Sequence, residues 1–194
     1  MYIRFFKRLC DFCISLICSI IFLPIFIILI IVVKLDSKGP VFFRQERVGK
    51  DKKLFHILKF RTMKVDTPKE IPTCMLENPE QYITKVGKFL RKTSLDELPQ
   101  LMNILKGDMS LVGPRPERPQ YVEKFREEIP RYMIKHQVRP GMTGWAQVNG
   151  YRGDTSIRKR IEHDLYYIEN WTLGLDIKIL FLTVFKGFIN KNAY

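Results

Sequence analysis

Apolar positions gather at the two ends of the 194-residue chain. Residues 12–33, FCISLICSIIFLPIFIILIIVV, carry no charge. As a helix rising about 1.5 Å per residue, they are long enough to cross a hydrocarbon core of about 30 Å. The stretch is too long for a secretory leader and runs on into KLDSKGP with no small-residue cleavage site. Pro24 lies near its middle, where a missing N–H and a ring clash kink or break a helix. Arg4, Lys7 and Arg8 precede the stretch, and Lys34, Lys38, Arg44, Arg47, Lys50, Lys52 and Lys53 follow it, so the positive-inside rule asks for both ends on the cytoplasmic side. A bent helix that enters and leaves by one face satisfies both facts. A spanning helix with a tolerated proline stays open beside it. At the other end, residues 173–189 (LGLDIKILFLTVFKGFI) look like a second span, but Asp176, Lys178 and Lys186 argue against one. Asp176, Thr183, Lys186 and Asn190 fall near one helical stripe and leave Leu175, Ile179, Leu182 and Phe185 as an apolar face, which suits an interfacial helix or a core helix.

The stretch between is polar and mixed, which predicts an α+β domain over 37–194 behind a membrane segment over 1–36. PVFFRQERVG and KLFHILKFRTM carry β-branched and aromatic residues around a Gly-Lys-Asp-Lys turn, predicting a β-hairpin across 40–63. Residues 64–81 hold three prolines and no period, predicting a loop. Helices are predicted over about 82–92, 94–106, 119–128 and 155–170. In KTSLDELPQLMNILKG (92–107), Ser94 and Glu97 match a capping box, Leu98, Leu101, Met102 and Leu105 share one face, and Gly107 is a natural stop. Pro99 is awkward there, because it lies beyond the first turn and deletes a donor. SLVGPRPERP holds Arg115 on stiff, extended backbone, and VRPGMTGWAQVNG (138–150) joins three glycines to Trp145.

A net charge of +13 points to an anionic partner: nucleic acid, an acidic membrane surface or phosphate-bearing small molecules. Nucleic acid fits poorly, because the basic residues are dispersed and no recognition motif is present. Cys10, Cys13, Cys18 and Cys74 form no disulfide framework, and the lone C-x-x-C has no second pair to complete a zinc site. His56, His136 and His163 lack ligand spacing. The adjacent Asp96 and Glu97 are either the acidic first turn of a helix or chemistry. Neighbouring carboxylates cannot bracket a sugar from opposite sides, which disfavours glycoside hydrolysis. They can divide the work on a phosphate, one attacking phosphorus while the other holds magnesium. Anion attack on an anion needs neutralising charge, for which Lys59, Arg61, Arg91, Arg115 and Arg139 are candidates, each otherwise a solvated surface charge.

KFRTM (59–63), RKTSLDELPQLMNILKGDMSLVGPRP (91–116), VRPGMTGWAQVNG (138–150) and DLYYIEN (164–170) together resemble the bacterial sugar transferase family, the monotopic polyprenyl-phosphate phosphoglycosyl transferases, in its minimal catalytic form. The resemblance covers nearly the whole chain. It implies transfer of a sugar 1-phosphate from a UDP-sugar to undecaprenyl phosphate with release of UMP, at the cytoplasmic face of the bacterial inner membrane, starting a capsule, exopolysaccharide or other surface glycan. It also implies Asp96 as the nucleophile of a covalent phosphosugar intermediate and Glu97 as a holder of Mg2+. Lys59, Arg91, Arg115 and Arg139 are implied in phosphate or nucleotide contact, with Asp164 as a further polar candidate. Membrane lipids are implied partners, and a homo-oligomer stays open. The family breaks its N-terminal helix at a Ser-Pro pair and returns it to the cytoplasmic face. Here the pair is Leu23-Pro24, so the break is expected to rest on Pro24 alone or on Ser19 one turn earlier. The alternative is a magnesium-dependent phosphohydrolase of nucleotide sugars using the same carboxylates.

Overall fold

The computed structural model describes residues 2–68, 78–153 and 155–187. In chain order the elements are α1 (Tyr2–Ile21), α2 (Leu23–Asp36), β1 (Phe42–Val48), β2 (Leu54–Phe60), α3 (Lys85–Thr93), α4 (Gln100–Lys106), β3 (Ser110–Val112), α5 (Pro119–Glu128), β4 (Gly141–Thr143), α6 (Trp145–Val148), α7 (Ile157–Glu169) and α8 (Leu173–Gly187). The class is α+β, as the pattern predicts.

From Phe5 onward, α1 meets α2 at a bend of 63°. The hinge is Phe22 (φ −85°, ψ 0°), and Pro24 falls inside the first turn of α2, where a missing N–H costs nothing. The break therefore lies two residues ahead of the expected one. Ser19 does not bond the groups freed at the break; its hydroxyl donates to the Ser15 carbonyl one turn back at 2.7 Å. Among the described residues, no single helix is long and apolar enough to cross a membrane; the bent pair has the length and composition together. Ile17, Ile20, Ile21, Leu23, Ile28 and Leu35 are each more than half exposed along its outer face.

The base of α1 is seated on the rest of the chain by charge. Asp11 accepts from Ser110 Oγ at 2.7 Å and Leu111 N at 3.1 Å. Arg8 donates to the Ile104 and Leu105 carbonyls at the C-terminal end of α4, where a cation complements the unpaired carbonyls. Lys7 meets the buried Asp176 of α8 at 2.6 Å.

The predicted hairpin is present, with Phe42 opposite Phe60 and Val48 opposite Leu54. Phe26 of α2 packs on Phe42 and Phe60 at centroid distances of 5.9 and 5.0 Å, and with Leu29, Val33 and Leu90 these rings form a core under α2. A larger core joins Phe55 and Ile57 of β2 to Leu101, Ile104, Met109, Val112, Tyr167 and Ile179. β3 and β4, a parallel pair absent from the prediction, cross it. Their approach demands glycine, since a Cβ at Gly141 would stand 2.0 Å from Gly113 N.

Three predicted helices shift. α3 starts at Lys85, capped by the Thr84 hydroxyl, because Ile83 is spent on a bridge to Met63. α7 is capped by Ser156 and runs just inside 155–170, while α5 has the predicted bounds. The helix predicted over 94–106 is two pieces, taken up below. In α8 the expected apolar face packs inward, as in a core helix, with Ile179 fully buried, Leu175 and Leu182 against the larger core and Phe185 exposed; the expected polar stripe turns inward with it, Asp176 accepting from Tyr167 Oη at 2.7 Å and Trp171 Nε1 at 3.1 Å, and Thr183 lying 2.7 Å from Thr143. The apolar stripe left outside is Ile177, Phe181, Val184 and Phe185. A buried acid with three donors is better placed inside than in water, which amphipathic counting does not see. Of the predicted 64–81 loop, residues 69–77 with Cys74 lie outside the described residues, as do Asn190 and the Lys186 side chain.

Candidate active site

The chain between α3 and α4 makes a tight double turn that holds both carboxylates. Ser94 closes α3 in the left-handed region (φ 56°, ψ 16°), with its N–H on the Arg91 carbonyl. Leu95–Glu97 then form a 3₁₀ turn, and Pro99 precedes the first residue of α4, where its ring is tolerated. The capping box is therefore absent. Ser94 makes no side-chain cap; its hydroxyl instead accepts from Arg152 Nη1 at 3.2 Å. Splitting the helix also removes the difficulty with Pro99, which no longer sits inside one.

Glu97 is buried and held by three cations. Its Oε1 takes Lys59 Nζ at 2.7 Å and Arg115 Nη2 at 3.2 Å, and its Oε2 takes Arg152 Nη2 at 3.1 Å. Burial alone would raise its pKa, but Lys59, Arg115 and Arg152 outweigh that and hold it well below the ordinary carboxylate range. Asp96 is treated differently. Among the described residues its nearest cation is Lys59, at 3.9 Å from Oδ2. Burial raises its pKa, and the charge of Lys59 only partly offsets this. Arg91 donates through Nε to Thr62 Oγ1 at 2.9 Å, and its charge also reaches Asp96. Arg47 stands behind Arg115, and burial, then the charge of Arg115, lowers its pKa to about 10. Four cations, Lys59, Arg91, Arg115 and Arg152, thus face two carboxylates, and the excess positive charge suits a phosphate.

The structure brings together Asp96, Glu97, Lys59, Arg91 and Arg115 of the residues named from sequence. It does not bring Arg139 or Asp164. Arg139 donates to the Gly107 carbonyl at 2.9 Å, beyond the far end of α4. Asp164 is buried against Lys135 at 3.0 Å in a separate core with Tyr132 and Ile161. Arg61 caps the C-terminal end of α2 through the Lys38 and Ser37 carbonyls. Arg152 is the residue that sequence reasoning missed. Its one signal is Tyr151-Arg152-Gly153 directly after the glycine-rich 138–150 block, with Gly153 at φ +75° turning the chain.

Fold and site together define a small α+β protein whose carboxylate pair lies in a net-cationic centre beside exposed apolar helices. The model of the family described as bacterial sugar transferase matches residues 2–190, and the chain belongs to that family. It is 49% identical over 195 residues to the UDP-glucose:undecaprenyl-phosphate glucose-1-phosphate transferase of Escherichia coli (strain K12), covering 98% of this chain and 42% of that protein. It is 46% identical to the UDP-N-acetylgalactosamine-undecaprenyl-phosphate N-acetylgalactosaminephosphotransferase of Aeromonas hydrophila, covering 93% of this chain and 43% of that one. To the uncharacterized sugar transferase EpsL of Bacillus subtilis (strain 168) it is 44% identical, covering 95% of this chain and 88% of that one. The chain spans less than half the length of the first two.

Proposed function

We propose that this chain transfers a sugar 1-phosphate from a UDP-sugar to undecaprenyl phosphate through an aspartyl-phosphosugar intermediate, releasing UMP and forming undecaprenyl-diphospho-sugar. The observation that carries the reading is the unequal setting of the two carboxylates. Glu97 is locked between three cations and cannot attack without breaking them. Asp96, with Lys59 no nearer than 3.9 Å and a charge that burial disfavours more than the cations around it favour, is the more basic oxygen nucleophile. In the first step an Asp96 oxygen attacks the phosphorus bearing the sugar, and the bond from that phosphorus to the bridging oxygen breaks, so UMP leaves with the electron pair. In the second step an oxygen of undecaprenyl phosphate attacks the same phosphorus, and the acyl-phosphate bond breaks to return the Asp96 carboxylate. Lys59, Arg91, Arg115 and Arg152 neutralise the anionic reactants, with Glu97 fixing three of them so that little reorganisation is needed.

Magnesium, implied by the resemblance, takes one or two protein carboxylates and completes its shell with phosphate oxygens and water. Glu97, the residue implied to hold it, would first have to release a cation, whereas among the described residues Asp96 has no cation nearer than Lys59 at 3.9 Å, so Asp96 would be the residue to hold it. When bound, the ion supplies positive charge on the phosphate oxygens. The two relatives are named for UDP-glucose and UDP-N-acetylgalactosamine, and the sugar used here is to be found by a panel of UDP-sugars. A role in starting a capsule, exopolysaccharide or other surface glycan belongs to the same proposal.

The site of action proposed is the cytoplasmic face of the bacterial inner membrane, with the bent α1–α2 pair re-entrant and the outer stripe of α8 in the interface. Support comes from the 63° bend, the apolar outer faces and the basic flanks. Single cysteines at Phe5 and Leu35, in a background without the native ones, are expected to react from the same side of sealed vesicles. Reaction from opposite sides means a spanning helix. The apolar helices also favour the transferase over the phosphohydrolase, since a soluble substrate gives them no purpose. UMP release is expected to stop at about one equivalent per enzyme without undecaprenyl phosphate and to turn over with it; sustained release without lipid would make water the acceptor.

A further inference from the structure

Arg115 and Arg152 reach Glu97 from two segments without regular structure, 113–118 and 149–153, which lie far apart in sequence. Both segments meet at one buried guanidinium in the first turns of α7. Arg160 donates through Nη1 to Glu117 Oε1 at 3.0 Å, and through Nη2 to the Gly153 carbonyl at 2.6 Å, with Thr155 Oγ1 at 3.5 Å. Glu117 follows Arg115 by two residues, and Gly153 follows Arg152 directly. A buried arginine–carboxylate pair is a poor source of stability compared with apolar packing, because desolvating both charges costs nearly what their attraction returns. Its presence here calls for a role in register.

We propose that Arg160 is a positioning residue, a clasp that sets the two segments so that Arg115 and Arg152 arrive on opposite oxygens of Glu97. The two segments depend on it unequally. The Arg115 strap has four other anchors: Gly113 N on the Thr143 carbonyl, Gly141 N on the Pro114 carbonyl, Arg47 Nη1 on the Pro116 carbonyl and Val48 N on the Glu117 carbonyl, all between 2.9 and 3.1 Å. The Arg152 loop has Tyr151 N on the Ala146 carbonyl at 3.0 Å and the Tyr151 ring against His163 at 4.6 Å, both on the near side of Arg152. Past Arg152, among the described residues, the hydrogen bond that ties Gly153 to the rest of the domain comes from Arg160. Loss of the clasp therefore acts chiefly through Arg152.

The kinetic half of this inference rests on the phosphotransfer reading; the clasp itself does not. Arg160→Lys keeps the charge opposite Glu117 but cannot span both partners, so the fold is retained and the second arm is lost. Turnover is expected to fall about ten- to a hundredfold, the range for displacing a catalytic group by about an ångström. Arg152→Gln is expected to fall by a similar factor, and the double variant by no more than about threefold beyond Arg152→Gln alone, because the second change has nothing left to misplace. A residue that only holds the fold together would give losses that multiply. Multiplying losses, or wild-type turnover in Arg160→Lys, would overturn the proposal. Hydrogen exchange provides a readout without substrate: in Arg160→Lys, the amides of 150–153 are expected to exchange faster while those of 113 and 115 stay protected. Unchanged protection in 150–153 removes the clasp whatever the reaction is. Faster exchange in a protein whose wild type transfers no sugar phosphate would support the clasp and overturn the phosphotransfer reading.

Discussion

Asp96→Asn is expected to lose sugar-phosphate transfer by at least about 10⁴-fold, the scale on which removal of a covalent nucleophile is felt. The amide matches the carboxylate in volume and leaves the cations on Glu97 in place, so binding of the UDP-sugar is expected to persist. The fold is expected to persist as well. A carboxylate whose pKa is raised by burial opposes folding when ionised, so replacing it with a neutral amide relieves that cost at neutral pH. Loss of turnover with thermal stability unchanged or raised therefore separates chemistry from unfolding. Substantial turnover in this variant would remove Asp96 from the attacking role.

Glu97→Gln is the second large effect, with a different signature. The change leaves Lys59, Arg115 and Arg152 around a neutral side chain, and stability is expected to fall by about 3 kcal/mol, at the lower end for breaking a buried pair because the cations keep some solvent contact. Turnover is expected to fall about 10²- to 10³-fold as the three cations lose their common anchor. Glu97 also raises the pKa of Asp96 by its negative charge. Removing that charge makes Asp96 easier to ionise, so the acid limb of turnover moves to lower pH in the variant although the rate is lower throughout. An acid limb that stays in place or moves up would mean that Asp96 does not set it. The stability profile has its own sign. Glu97 has a depressed pKa, so its contribution is present above the unfolded value of about 4.5 and is lost as pH falls; the Gln variant loses that dependence.

Much of this centre was legible in the chain. Asp96 and Glu97, the hairpin that carries Lys59, and the proline-stiffened strap that carries Arg115 follow from local pattern, because each depends on residues close in sequence. The errors come from what local pattern does not contain. Ser94 and Glu97 fit the spacing of a capping box, yet Ser94 is the left-handed end of the preceding helix and the acids sit on a turn between two helices. Arg139 and Asp164 fall in blocks that resemble the family, but one caps the far side of α4 and the other neutralises Lys135 in a second core. Arg152 carries no periodic or motif signal, and only a fold that returns residue 152 to the α3–α4 turn reveals it. The three-residue strands β3 and β4 are too short for a period of two to register. In α8, tertiary partners drew Asp176 inside beside Ile179, so a residue expected on the polar stripe lies on the buried side with the expected apolar face.

The central claim is that the sugar phosphate is carried on Asp96. The most direct measurement is the intact mass of the detergent-purified protein after brief exposure to a UDP-sugar with no undecaprenyl phosphate, followed by peptide mapping. The expected result is an added mass of one sugar phosphate on the peptide containing Asp96, formed with one equivalent of UMP and discharged when undecaprenyl phosphate is added. An adduct on another residue, or product formed on lipid addition with no adduct at any time, would contradict it.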